Sequence, residues 1–252
     1  MIPTAESANA LVVECTRETE SVRDAQRLRD EVFAEELGAR RTPAAGRLDL
    51  DRFDDHCAHL LVREGRGGPA VACARLLTAA DAMAAGGFES QRQFDMTRAL
   101  TMPGRLLEVG RVCVARRRRD GAALSALWNG LAREARARGA DSLIGRASVP
   151  FDPETETLAP LSESLRERWT SDAYRVYPRR PVPRGPRGES RRAALPPLLA
   201  AYLRLGAEVG GEPSWDPEFG TADFFVLLPV DGLARRWAPS YLRSGERALE
   251  TP

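Results

Sequence analysis

The chain has 252 residues, 43% of them hydrophobic, enough for a substantial core in one large domain or two small ones. Its 37 basic and 36 acidic residues leave a net charge of +1, so no overall field argues for nucleic acid, and because every base is arginine a lysine Schiff base and a P-loop lysine are both excluded. The four cysteines, Cys15, Cys57, Cys73 and Cys113, are scattered with only His56 and His59 as partners, so the expectation is free, mostly buried thiols in a reducing compartment and no metal site.

The chain shows no basic-then-apolar leader and no run of about 18 apolar residues, which reads as a cytoplasmic protein, at most peripheral to a membrane. Residues 10–16 (ALVVECT) predict a first strand. Val22, Ala25, Leu28, Val32, Phe33 and Leu37 recur at helical spacing, and Gly38 ends that helix. Residues 39–58 have no period; a loop of about 20 residues is longer than ordinary connections and is expected to be functional. Apolar runs at 59–63 and 70–77 around a Gly-rich turn predict a hairpin, and the Ala-rich 78–100 predicts helical fragments.

Residues 106–114 (LLEVGRVCV) predict a strand, 116–121 (RRRRDG) a turn, and Leu124, Leu127, Trp128, Leu131 and Ala135 an amphipathic helix. With the apolar run 141–149 this makes a βαβ unit holding a parallel strand pair. At the turn, Arg118-x-x-Gly121-x-Ala123 offers free helix-start N–H groups to an anionic oxygen; the alternative is a solvated charge run and an ordinary Asp-Gly turn. Residues 178–192, rich in Pro, Gly and Arg, predict an exposed mobile loop; 195–205 predicts a helix, 223–230 a buried strand, and 231–252 little order.

The Arg118-x-x-Gly121-x-Ala123 spacing resembles the R/Q-x-x-G-x-G/A signature of the GNAT superfamily. Further blocks, LRDEVFAEELGA (28–39), DRFDDHCAHLLV (51–62), LEVGRVCV (107–114), ALWNGLA (126–132), LPPLLAAYLRLGAEVG (195–210) and FGTADFFVLLPV (219–230), resemble its ornithine N-alpha-acyltransferase branch over most of the chain. The resemblance implies a single α/β domain: a GNAT-like mixed, mostly antiparallel sheet with a central parallel βαβ unit and flanking helices. It implies a fatty, commonly 3-hydroxylated, acyl group moved from acyl carrier protein to the α-amine of ornithine or a similar amino acid, with no tightly bound cofactor. The acyl-phosphopantetheine, or acyl-CoA, is the co-substrate. Val112, Cys113 and Val114 then lie beside the thioester, while Arg116, Arg118, Arg119, Gly121, Ala122 and Ala123 hold its phosphate end.

The N-terminal blocks are also similar to acyl-homoserine-lactone synthases through Arg29/Phe33, Asp51/Asp54 and Glu108/Arg111, which leaves that activity as an alternative. A non-catalytic GNAT-like module binding an anion or RNA is the alternative of another class. In the family reading Arg29 and Phe33 close the acyl site, the alternative being a surface arginine and a core aromatic; Asp51 and Asp54 either meet a cationic acceptor side chain or form a solvated acidic loop, and Ser148 contacts substrate. One departure stands out: this chain has Gly145-Arg146-Ala147-Ser148 where the branch has G-C-A-S, so Arg146 alters the acceptor or acyl preference, or points outward.

The chemistry needs a base for an amine of pKa about 8. Glu108, a carboxylate in an apolar strand, is the candidate, and the alternative is an ion pair with Arg111. Residues three apart face opposite sides of a regular strand, so a bulge at Gly110 is expected to realign them and let the parallel pair splay. His59 serves either as an aid to proton transfer or as a structural histidine. The acyl chain needs an apolar slot, expected to draw on Val112, Val114, Leu143, Leu199, Tyr202 and Phe225. A product that is a lipid suggests contact with a membrane, and no nucleic-acid partner is expected.

Overall fold

The computed structural model describes residues 10–39, 46–183, 191–192 and 195–231. In chain order the elements are β1 (Leu11–Thr16), α1 (Thr19–Arg29), β2 (Ala58–Glu64), β3 (Ala70–Thr78), α2 (Ala79–Ala84), β4 (Phe94–Asp95), β5 (Leu106–Val114), α3 (Ala122–Ala137), β6 (Ser142–Pro150), β7 (Glu156–Thr157), α4 (Ala159–Leu165), β8 (Tyr177–Pro178), β9 (Arg191–Arg192), α5 (Pro197–Arg204), β10 (Glu208–Val209), β11 (Ser214–Asp216) and β12 (Thr221–Pro229). The main sheet has eight strands in the order β1-β2-β3-β5-β6-β12-β10, with β11 also paired to β12. Every pairing in it is antiparallel except β5 with β6. This is the mixed sheet with one parallel βαβ unit that the sequence predicts.

Strand alternation explains why so much of the sheet is apolar: both faces are covered. Leu76, Leu107, Leu143, Phe224, Val226 and Leu228 pack on one face with α1, α3 and α5. Their neighbours Leu77, Leu106, Ile144, Phe225 and Leu227 pack on the other with α2 and the turns around Phe88, Phe94 and Met96. Helix α3 buries Ala123, Leu127, Trp128, Leu131 and Ala135, the positions its periodicity marks. Trp128 meets Tyr202 of α5 edge-on, with ring centroids 5.3 Å apart.

Two departures from the expected elements shape the site. The first helix does not stay α-helical to Leu37; from Asp30 to Glu36 it widens into a π-helix, and Leu37 N–H reaches back to Val32. The second is in β5, where Cys73 pairs Cys113 but Arg75 pairs Gly110, so Ala74 opposes both Arg111 and Val112. The bulge therefore sits at Arg111–Val112, one residue past the expected Gly110. Arg111 has φ +52°, the single non-glycine residue with positive φ among those described, a conformation that costs a non-glycine about 1 kcal/mol or more.

The Pro- and Arg-rich stretch is held at its described ends, β8 against β4 and β9 against β7; residues 184–190 and the tail from 232 lie outside the described residues. Among the described residues no helix is long and apolar enough to cross a membrane.

Candidate active site

The parallel ladder between β5 and β6 is short. It runs from Leu106/Ser142 to Val109/Gly145 and stops, although β5 continues to Val114 and β6 to Pro150. A side chain at Gly145 would sit 2.4 Å from the Val109 carbonyl, so glycine permits the last close pairing. Beyond it the strands part around a cavity of about 230 Å³. On the helix side its wall is apolar, with Phe33, Leu37, Val109, Val112, Leu198 and Tyr202; on the other side stand Glu89, Glu108, Arg111, Arg146, Asp216 and Asp223. Ser148 also lines it. Phe33, carried by the π-helix, meets Phe219 edge-on at 6.3 Å, and the Arg111 guanidinium lies 5.6 Å over the Phe219 ring.

Glu108 is 3% exposed, and each of its oxygens is fixed by a backbone donor: Glu89 N–H at 2.6 Å and Ser90 N–H at 2.8 Å. Burial, and then the neighbouring Glu89 carboxylate, push its pKa up from the usual carboxylate range, with the two amides offsetting part of the rise. A carboxylate so placed is more basic than an exposed one while remaining oriented. Arg111 does not pair with Glu108. The bulge turns it onto Asp51 at 2.9 Å, Glu89 at 3.1 Å and Asp49 at 3.1 Å.

Glu89 is the centre of a network the sequence did not reveal. It binds Arg75 at 2.6 Å and Arg146 at 2.8 Å as well as Arg111. Arg75 also binds Asp51 at 2.6 Å and Asp54 at 2.8 Å, and Arg29 binds Asp54 at 2.8 Å and Asp49 at 2.8 Å. Burial alone raises a carboxyl's pKa, but Arg29 and Arg75 outweigh it at Asp54, and Arg111, Arg75 and Arg146 outweigh it at Glu89; both stay well below the usual range. The available signal for Arg75 was its position between Ala74 and Leu76 in a strand buried on both faces, where a guanidinium must find carboxylates. Glu89 carried no such signal, lying in a 3-10 turn within a stretch without periodicity.

These contacts bear on three expectations. Asp51 and Asp54 already neutralise arginines, and neither lines the cavity, so they brace the site instead of meeting a cationic substrate group. Arg29 is 1% exposed and bound to Asp49 and Asp54, so of the pair with Phe33 only Phe33 reaches the cavity. His59 is 1% exposed, outside the cavity, its Nε2 3.3 Å from the Asp54 carbonyl oxygen; burial and then Arg29 push its pKa down and favour neutral imidazole, a structural role. Of the residues expected in the acyl slot, Val112 and Tyr202 line the cavity and Leu143 a small extension of it. Leu199 lies in the core, and Phe225 on the opposite face.

At the mouth, residues Arg116–Arg118 form a 3-10 turn, Gly121 takes φ +91° as the residue preceding α3, and Ala122 starts the helix. Apart from half-buried Arg118 the segment is exposed through Ala122, with nothing within 4 Å of a Cβ placed on Gly121, while Ala123 is buried. Arg118 is bound to Glu64 at 2.6 Å and Arg119 to Glu36 at 2.9 Å; Arg116 has no ion pair among the described residues. Val114 gives its carbonyl to Arg119, and neither Val114 nor Cys113 lines the cavity. All four thiols are free. Burial pushes Cys57 up to about 12, and the hydrogen bond shared with Cys73 together with burial pushes Cys113 up, so neither offers a thiolate.

A splayed parallel pair with a buried carboxylate, and an open amide turn at the head of the following helix, is the arrangement of a GNAT-class acyltransferase. Residues 28–129 match the acetyltransferase (GNAT) domain family. Along its length the chain is 35% identical over 235 residues to the L-ornithine N(alpha)-acyltransferase of Rhizobium meliloti, covering 86% of this chain and 79% of that protein. The Brucella abortus enzyme of the same name is 33% identical over 255 residues, covering 92% and 89%, and the Rhodobacter capsulatus one 32% over 253, covering 93% and 95%. The chain belongs to the L-ornithine N(alpha)-acyltransferase family.

Among solved structures, the CoA-dependent acyl-homoserine lactone synthase BjaI superposes with a TM-score of 0.54 at 16% identity, over 90% of this chain and 89% of that one. FeeM, an N-acyl amino acid synthase from uncultured soil microbes, gives 0.53 at 10% identity, over 90% and 94%. At such identities the likeness is one of fold.

Proposed function

We propose that the protein moves a fatty acyl group, 3-hydroxylated in the expected substrate, from an acyl carrier protein thioester to the α-amine of ornithine, working at the cytoplasmic side where its lipid product enters the membrane. The family supports the acceptor, and the observation that carries the mechanism is Glu108, buried and oriented where the apolar and polar walls of the cleft meet. The acyl chain lies against Val109, Val112, Leu198 and Tyr202; the pantetheine runs along the part of β5 that has no β6 partner, past Val112, Cys113 and Val114. Its phosphate end rests on the turn formed by Arg116, Arg118, Arg119, Gly121, Ala122 and Ala123, at the N-terminus of α3, where the Ala122 amide now donates to Asp120 Oδ1 at 3.1 Å and would turn to the phosphate. Arg111 and Ser148 flank the reacting centre.

The neutral amine nitrogen attacks the thioester carbonyl carbon, Glu108 takes the amine proton directly or through water, and collapse breaks the carbon–sulfur bond. The proton then passes to the departing thiolate, leaving amide and free thiol. With no thiol and no Ser-His pair among the described residues that line the cleft, the transfer is direct and leaves no acyl-enzyme. The test is thiol release by the purified enzyme, comparing a 3-hydroxyacyl carrier protein with the matching acyl-CoA against a panel of amines. Acylornithine formation with the carrier protein preferred is expected. Equal use of the CoA thioester sinks the donor assignment, and release of methylthioadenosine on adding an adenosylated methionine sinks the acceptor.

A further inference from the structure

A second cavity, of about 290 Å³, adjoins the first on the acidic face of the sheet. The two share one wall, made by Glu89, Arg111, Arg146, Asp216 and Phe219. Where the first cavity is apolar on one side, this one is lined mainly by polar and charged groups, with Trp215, Pro217 and Phe219 among them. Its floor holds Gln93, Ser214 and Asp216, and its rim Arg92, Arg179, Arg180 and Glu218. Ligand sites run from about 300 Å³ upward, so the space suits an amino acid better than a nucleoside.

The charge in the floor is unbalanced. Among the described residues, the ion-paired network beneath the rim joins six carboxylates, Asp49, Asp51, Asp54, Glu89, Asp216 and Asp223, to four guanidiniums, Arg29, Arg75, Arg111 and Arg146, with Glu108 beside it on backbone amides. The deficit falls at Asp216. Arg146 binds Asp223 at 3.0 Å but stands 3.9 Å from Asp216, whose close side-chain contact is the Gln93 amide at 2.6 Å. Burial and the nearby Asp223 carboxylate push the Asp216 pKa up, the mark of an anion short of positive charge. The other atom of the same amide, Gln93 Oε1, is buried and accepts from no described group. An anion and an idle acceptor side by side form a receptor for an ammonium with N–H to donate. On the rim the signs reverse: Arg92 and Arg180 are exposed and have no ion pair among the described residues.

We propose that this cavity is the acceptor pocket, in which the side-chain ammonium of a diamino acid sits on Asp216 and Gln93 while its α-carboxylate meets Arg92 and Arg180. The α-amine then faces the shared wall and, through it, Glu108 and the thioester, so donor and acceptor enter from opposite faces of the sheet. The departure at Arg146 has a role here. As part of the wall, it holds Glu89 and Asp223 in place and leaves Asp216 for the substrate. The inference rests on the acyl-transfer reading and adds to it which residues select a diamino acid.

The experiment compares ornithine with norvaline, which has the same carbon chain without the δ-ammonium, using kcat/KM for each and the KM for the thioester. Asp216→Asn keeps the Oδ1 acceptor used by the Glu218 and Phe219 amides and removes the charge. It is expected to cut the ornithine-over-norvaline preference about tenfold or more while the thioester KM stays within twofold. The double variant Arg92→Gln/Arg180→Gln reads the carboxylate end without touching the floor. It is expected to raise the KM of both amino acids severalfold and to leave their ratio unchanged. An unaltered preference in Asp216→Asn, or unaltered amino-acid KM values in the double variant, overturns the pocket. An unmodified enzyme that acylates no amino acid overturns the acyl-transfer reading itself.

Discussion

Arg75 and Arg117 carry the same group and live under opposite physics. Arg75 is 2% exposed and touches Asp51, Asp54 and Glu89. Arg117 has about half its side chain in water, and its nearest carboxylates, on Glu31 and Glu64, are 4.0 Å away. In a low-dielectric interior a guanidinium and its carboxylates are strongly coupled, so removing one partner strands the others; at the surface, solvent and salt screen the pair, and what remains is a field felt by an approaching partner. The buried arginines fix where the reacting groups stand. In the proposed reaction the surface run acts on encounter with the carrier protein. A residue count cannot separate these roles, because burial makes the difference.

The comparison can be broken most directly at Arg75. Arg75→Met leaves Asp51, Asp54 and Glu89 short of a counter-charge, and about 3–5 kcal/mol of unfolding free energy should be lost in a denaturant titration. A loss below about 1 kcal/mol would mean that the network is as weak as a surface pair. The same network predicts a pH limit. Asp54 and Glu89 have folded pKa values below their unfolded ones, so their contribution is complete above about pH 5 and drains away as pH falls from there toward the depressed folded values. Thermal melts from pH 7 to pH 3 should show the midpoint dropping below about pH 5, more steeply in the unmodified chain than in Arg75→Met.

A smaller expected change sharpens the split between bracing and chemistry. Glu108→Gln should lower kcat about 100-fold, within the range ascribed to general base catalysis, and remove the rising limb of the pH–rate profile. That limb should lie above the usual glutamate range, since burial and Glu89 raise the pKa. A profile unchanged in shape assigns the base elsewhere. The smallest effect belongs to the surface. Arg116→Glu with Arg117→Glu should slow association with an acidic carrier protein about tenfold at low salt, lose that effect at high salt, and change stability by less than about 1 kcal/mol. Salt-independent slowing would mean that these side chains make fixed contacts.

Much of the frame was legible because the signals are local. Leu127, Trp128 and Leu131 repeat at helical spacing, the Gly-rich turn joins two apolar runs, and Gly121 before α3 adopts the positive φ that only glycine takes cheaply. The bulge was expected one residue early because glycine is the usual strained residue, whereas here three carboxylates hold Arg111 at φ +52°. Asp51 and Asp54 looked like an open acidic loop because their partners, Arg29 and Arg75, come from other elements more than 20 residues away. Glu89 and Asp216 were missed for the same reason: a turn and a three-residue strand carry no period, and only the tertiary fold brings them to one wall.

If the second cavity takes the amino acid, that wall has a kinetic consequence. Arg111, Arg146, Glu89 and Phe219 belong to both cavities along with Asp216, so a molecule that shifts Arg111 or Arg146 on one side changes the surface offered on the other. Affinities linked in this way are reciprocal: whatever factor a bound amino acid applies to the thioester's dissociation constant, the thioester applies to the amino acid's. Two substrates meeting at such a partition do not bind as strangers. Their initial-rate plots will intersect off the axis, and the displacement of that crossing measures in free energy how firmly five side chains connect the two faces of the sheet.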